Sequence, residues 1–181
     1  IEKEGVSQVH FSGGEPLVKF KLLETLIAGL SPGTKAWVNT SGFQMTLMKV
    51  KRLKEAGLTG VSISLDHYDE EKHNAFRNHR EAYYWAMEGA KNALAAGLVV
   101  AFSVCLSDGL STEEALMKYM TLAKDTGVHF VQFLEPKAIG HYKNKSVELS
   151  KESIQNIESF FLKMNFGKQC KDFPLISYHG F

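Results

Sequence analysis

Four short stretches carry the residue types that can do chemistry: SGGEP (12–16), NTSG (39–42), SLD (64–66) and Arg77 in HNAFRNHR. Gly13 and Gly14 have no Cβ, so the main chain there can turn sharply and a ligand can approach its polar groups closely. Glu15 adds a carboxylate, and Thr40 and Ser41 add hydroxyls. Ser64 and Asp66 are short hydrogen-bonding side chains, and Arg77 is a planar, charged donor. Each group also has a plainer role. The glycines can close a tight turn, and Asn39 and Thr40 can do the same. Asp66 can cap the next helix. Arg77 can pair on the surface with Asp69, Glu70 or Glu81. His67, His73 and His79 are six residues apart and do not share a helix face, so they read as solvated side chains rather than metal ligands. Glu135 and Lys137 read as a rim salt bridge, and Trp85, Phe160 and Phe161 as core.

The elements that must hold these groups alternate. Strand patterns fall at QVHFS (8–12), KAWVNTS (35–41), GVSISLD (60–66), LVVAFSVCL (98–106) and HFVQFLE (129–135). Between them lie helix patterns: Leu22, Leu23, Leu26, Ile27 and Leu30 on one face, then Leu47, Val50 and Leu53, then Tyr83, Met87, Ala90 and Leu94. Ser111 and Glu114 fit a capping box that opens a further helix. Repeated βα units imply parallel strands joined by right-handed crossovers, as an open sheet or a barrel. Ligands in either gather beyond the carboxyl ends of the strands. The five segments there, SGGEP, NTSG, LDHYD, LSDG and EPKAIG, are all polar or glycine-rich. A last helix, SKESIQNIESFFLKMN, precedes the tail GKQCKDFPLISYHGF.

With 181 residues and 44% hydrophobic content, the chain can bury one sizeable core. Basic and acidic residues number 21 and 20, so nothing in the balance points to nucleic acid. No apolar run reaches the roughly 18 residues of a membrane span. The mixed, acidic start is not a signal peptide and reads as a helix end stopped by Gly5. Cys105 and Cys170 are far apart, with no CxxC, so a disulfide framework is not expected and a reducing cytoplasm is the default. Cys105 reads as a small buried hydrophobe.

VHFSGGEPLV and GVSISLD, with NTSG between them, resemble the radical S-adenosylmethionine (radical SAM) superfamily over roughly residues 1–140. The resemblance implies a partial (β/α)6 barrel with five of its six strands visible, spanning 1–145, and a C-terminal helix and tail over 146–181 that lead toward an extension. It implies S-adenosylmethionine and a [4Fe–4S] cluster as cofactors. The cofactor's ammonium would meet the carbonyls of Gly13 and Gly14, helped by Glu15; its ribose would meet Ser64 and Asp66; its carboxylate would meet Arg77; Thr40 and Ser41 would stand beside them. The family's cluster is held by three cysteines, CxxxCxxC, after its first strand. Neither Cys105 nor Cys170 can replace them, so no metal ligand is expected in this chain and the cluster loop is expected upstream of Ile1.

The implied reaction is reductive cleavage of S-adenosylmethionine to a 5′-deoxyadenosyl radical, which takes hydrogen from a substrate. A flavodoxin or ferredoxin would supply the electron, and in some relatives the substrates are peptides or proteins. The fragment alone is expected to be inactive. The alternative is a non-catalytic βα module that uses the glycine turn for a nucleotide or anionic small molecule.

Overall fold

The computed structural model of the chain describes residues 5–140 and 143–178. The helix end expected before Gly5 falls on residues outside these. Six strands form one sheet: β1 (Gln8–Phe11), β2 (Lys35–Thr40), β3 (Leu58–Ser64), β4 (Val99–Cys105), β5 (Phe130–Leu134) and β6 (Leu175–Tyr178). All pair in parallel, and the spatial order is the chain order, β1-β2-β3-β4-β5-β6. An order with no reversal is that of a barrel wall, whereas an open doubly wound sheet reverses at a switch point. Among the described residues β1 and β6 do not pair with each other, so the barrel is partial.

The sequence reading placed five strands. The sixth, β6, lies in the segment after Pro174 that the sequence reading left as tail, where no glycine-rich strand end or following helix pattern marks it. Asn165 fixes it from the preceding helix, accepting from the Ile176 N–H at 2.9 Å and donating to its carbonyl at 2.8 Å.

The helices are α1 (Phe20–Ala28), α2 (Leu47–Glu55), α3 (Glu70–Arg77), α4 (Ala82–Ala95), α5 (Glu113–Thr126) and α6 (Lys151–Phe166). Four start on side-chain caps that satisfy otherwise orphaned amides: Thr46, Asp69, Thr112 and Ser150. The cap of α5 is therefore Thr112 and not the expected Ser111, whose hydroxyl donates instead to the Ser107 carbonyl at 2.7 Å. Right-handed crossovers wound in one direction put every helix on the same face of the sheet. That face holds the core, through rows such as Ile63, Phe102, Val131 and Ile176, which are neighbours in register. Strand side chains alternate, so the other row of each strand lies on the inner face.

Two helix stripes differ from the expected ones. On α1 only Leu23 and Ile27 are buried, while Leu22 and Leu26 are exposed. On α4 the buried stripe is Ala82, Ala86, Gly89, Ala90 and Ala93, with Tyr83, Met87 and Leu94 packed at its margins. Small residues let α4 approach closely. A Cβ placed on Gly42, in the loop after β2, would fall 2.3 Å from the Trp85 carbonyl oxygen. That contact sets the loop after β2 directly against α4, beside the carboxyl ends of the strands.

Candidate functional site

The turn after β1 is open. Gly13 and Gly14 have φ of +106° and +46°, and a Cβ built on either would meet nothing within 4 Å. Among the described residues no backbone group donates to either glycine carbonyl. The lip is thus neither packed shut nor internally satisfied. Both carboxylate oxygens of Glu15 are engaged. One carboxylate oxygen accepts from the Leu17 N–H at 3.2 Å and from the Thr40 hydroxyl at 2.7 Å. The other accepts from the Ser41 N–H at 2.8 Å and from its hydroxyl at 2.6 Å. Thr40 in turn accepts from the Gly42 N–H at 3.0 Å. Glu15 is therefore a strut between the ends of β1 and β2, and the free acceptors of the turn are main-chain carbonyls.

Beyond β3 the polar groups form a second knot. Asp66 is buried and both of its oxygens are engaged: one accepts from Arg77 Nε at 2.5 Å and the other from the Cys105 N–H at 3.2 Å. Arg77 thus pairs with Asp66 rather than with Asp69, Glu70 or Glu81. The helix cap considered for Asp66 belongs to Asp69, which accepts from the Lys72 N–H. His73 is 1% exposed, a correction to its reading as solvated. Its Nδ1 accepts from the Asp66 N–H at 3.0 Å, so the buried ring is a neutral acceptor there. Burial holds its pKa below the usual 6.5, against the pull of Asp66. Tyr119 on α5 reaches across to donate to the Leu65 carbonyl at 2.5 Å. Its phenol is held well above the ordinary range, first by burial and then by Asp66. Three elements thereby fix the end of β3, and Asp66 fixes the end of β4 through Cys105. Cys105 is half-buried rather than core, and burial raises its thiol pKa, with Asp66 adding to the effect.

Ser41, Ser64, His73, Arg77, His79 and Trp85 meet around a cavity of about 140 Å³. Trp85, expected in the core, instead stands at this cavity between His79 and Phe43, with ring centroids 4.1 and 4.6 Å away. The volume is below the roughly 300 Å³ at which sites for whole drug-sized ligands start, so this cavity takes part of a cofactor and not all of it. The structure therefore brings Ser41, Ser64 and Arg77 to one cavity, with Asp66 behind Arg77, and joins Thr40, Ser41 and Glu15 in one network. Gly13 lines a separate groove of about 200 Å³ with Ser12, Glu15 and Lys19. The Glu15 strut is what connects the two. Sequence reading missed His73, Tyr119 and Trp85. A histidine seven residues past an aspartate gives no periodic signal, and Tyr119 looks like any core position of α5. Glu135 does meet Lys137, at 3.5 Å, and also accepts from Tyr178 at 2.5 Å.

The donor set can be tested against the implied cofactors. Free carbonyls at Gly13 and Gly14 suit an ammonium, and an oriented guanidinium beside Ser64 suits a carboxylate. A cluster has no such match: among the described residues no group of three or more His, Cys, Asp or Glu could hold a metal ion. No helix of the described residues is long and apolar enough to cross a membrane.

A family model described as Radical SAM superfamily matches residues 1–122. A GTP 3′,8-cyclase of Campylobacter curvus is 29% identical over 160 residues, covering 86% of this chain and 48% of that protein. The chain thus spans about half the length of the curated relatives it matches. Among solved structures, native anSMEcpe with bound AdoMet and Kp18Cys peptide superposes with a TM-score of 0.75 at 16% identity, over 93% of this chain and 49% of that one. Streptococcus suis SuiB bound to precursor peptide SuiA gives 0.71 at 14% identity, over 96% and 38%. These two show the fold. The GGEP turn, the strand order and the family match together lead to one conclusion: the chain belongs to the radical SAM superfamily.

Proposed function

We propose that this chain is the S-adenosylmethionine-binding core of a radical SAM enzyme, with its cluster ligands on sequence outside residues 1–181 and with residues 146–181 leading toward an extension. Bound there, the cofactor supplies a 5′-deoxyadenosyl radical on reductive cleavage, for hydrogen abstraction from the substrate. The observation that carries the reading is the open Gly13–Gly14 main chain at the mouth of β1, whose carbonyls accept no backbone hydrogen bond among the described residues. Those carbonyls accept the cofactor's ammonium. Arg77, oriented by Asp66, pairs with its carboxylate, and Ser64 hydrogen-bonds its sugar. Glu15, Thr40 and Ser41 hold the two strand ends at a fixed separation, and Tyr119 and His73 hold the third. The substrate is a peptide or protein, a reading supported by the two peptide-bound structures whose fold this chain shares.

The test uses the full-length protein, reconstituted anaerobically with iron and sulfide and supplied with a reductant. Formation of 5′-deoxyadenosine from S-adenosylmethionine is expected. Its absence from a reconstituted protein that shows the cluster's absorption would overturn the proposal.

A further inference from the structure

One wall of the cavity beyond β3 has no role in the reading above. It is the corner between α3 and α4, and it carries His79. The corner is pinned. Asn78 closes α3 in the left-handed region, with φ of +51°. The His79 N–H donates to the Asn74 carbonyl at 3.0 Å. The Asn74 side chain donates to the Arg80 carbonyl and accepts from the Tyr83 N–H, both at 2.8 Å. The imidazole is held as well. Its Nδ1 accepts from the Glu81 N–H at 3.2 Å, and the ring packs on Trp85 with centroids 4.1 Å apart and planes 34° from parallel. A neutral imidazole whose Nδ1 accepts carries its proton on Nε2. That N–H has no hydrogen-bond partner among the described residues.

Much of the cavity's other polar capacity is already engaged. The Ser41 hydroxyl donates to Glu15 at 2.6 Å, His73 Nδ1 accepts the Asp66 N–H, and Arg77 Nε is bound to Asp66 at 2.5 Å. The donors left are the terminal nitrogens of Arg77, the Ser64 hydroxyl and His79 Nε2. Among the described residues no carboxylate lines the cavity. The chemistry of the wall is therefore that of a host for an anionic or acceptor group. Arg77 alone is an incomplete host, because its charge is shared with the buried Asp66. A carboxylate has two oxygens with about four lone-pair sites. With one oxygen on the guanidinium, the second loses its water and needs a donor from another direction. His79 supplies a donor that the pinned corner and Trp85 have oriented in advance, so little side-chain freedom is lost on binding.

We infer that His79 is a specificity residue of the cofactor site, its Nε2–H donating to the same carboxylate that Arg77 pairs with. Two donors, at the end of α3 and on the corner that follows it, thus select the amino-acid end of the cofactor. This rests on the cofactor reading above and adds to it a residue that sequence reading left among the solvated histidines.

The test is binding to the full-length protein, reconstituted anaerobically and kept without reductant so that no cofactor is cleaved. Calorimetry measures the affinities of S-adenosylmethionine and of decarboxylated S-adenosylmethionine for the wild type, His79→Phe and His79→Gln. Phenylalanine keeps the ring on Trp85 and removes the donor; glutamine keeps a donor and removes the ring. His79→Phe is expected to weaken S-adenosylmethionine by about tenfold and the decarboxylated analogue by less than about twofold. His79→Gln is expected to recover most of the S-adenosylmethionine affinity. Equal weakening of the two ligands in His79→Phe would assign the residue a structural role and overturn the inference. Unchanged affinity for S-adenosylmethionine in His79→Phe, or no recovery in His79→Gln, would overturn it too. Arg77→Ala separates the two levels of the claim. Loss of S-adenosylmethionine affinity in Arg77→Ala but not in His79→Phe would remove His79 and leave the cofactor reading standing. Failure of the wild type to bind S-adenosylmethionine would remove that reading and the inference with it.

Discussion

Asp66→Asn separates orientation of Arg77 from mere presence of Arg77. The wild-type carboxylate is 3% exposed and accepts two hydrogen bonds, from Arg77 Nε at 2.5 Å and from the Cys105 N–H at 3.2 Å. An amide keeps the second, through its oxygen, and turns an N–H pair toward the guanidinium, where it cannot accept. A hydrogen bond to a charged group contributes about 1.5–3 kcal/mol. Two effects reduce the net loss. The Arg77 side chain is 35% exposed, so water solvates it once released. The variant also removes the cost of keeping a carboxylate out of water. A loss of about 1–2 kcal/mol in stability is expected, read as a lower urea midpoint at unchanged slope. Affinity for S-adenosylmethionine should fall by about tenfold, which corresponds to about 1.4 kcal/mol, because the guanidinium no longer points at the cavity shared with Ser41 and Ser64. Asp69→Asn is the control, since Asp69 only caps α3. Full cofactor affinity in Asp66→Asn, or an equal loss in Asp69→Asn, would refute the claim that Asp66 positions Arg77 for the ligand.

Two further outcomes follow from contacts of the same region. Gly42→Ala should cost more than about 2 kcal/mol in unfolding experiments, because its Cβ would stand 2.3 Å from the Trp85 carbonyl, which is backbone and cannot swing away. Gly14→Ala, also at positive φ but with nothing within 4 Å, should cost about 1–2 kcal/mol; equal losses at the two sites would count against close packing of the loop on α4. The pKa of His73 is lowered in the folded protein, so below about pH 6.5 the unfolded chain binds the proton more readily. Stability contributed by the neutral ring is full above that pH and declines as pH falls toward the folded-state value. The fall in urea midpoint between about pH 7 and 5 should be smaller in His73→Phe than in the wild type, and identical pH profiles would contradict the assigned burial.

What the sequence made legible followed from local rules. Five strands stood out because each is a short stretch rich in apolar and β-branched or aromatic residues, followed by a polar or glycine-rich segment and then a helix pattern. The glycine pair stood out because two adjacent residues without a Cβ, between a strand pattern and Pro16, mark a turn that a ligand can approach. What stayed hidden depended on tertiary partners. Nothing local distinguishes Asp66 as the acceptor for Arg77 from Asp69, three residues on, because the choice is made by the depth of the strand end in the core. His73 looked solvated because its neighbours are polar, yet the α3–α4 corner folds it beneath the site. The outward turn of Leu22 and Leu26 was hidden for a similar reason: a wide apolar stripe on α1 does not say how much of itself the sheet will cover. β6 needed Asn165, ten residues before it, to hold its main chain.

The central claim is that bare main chain after β1 receives the positive end of S-adenosylmethionine. Its most direct test is the carbonyl carbon spectrum of the chain during titration with S-adenosylmethionine and with an analogue lacking the amino group. The account predicts saturable shifts of the Gly13 and Gly14 carbonyl resonances with the cofactor and loss of those shifts with the analogue. Glycine carbonyls that stay still while the cofactor binds elsewhere, or that move equally with the analogue, would contradict it.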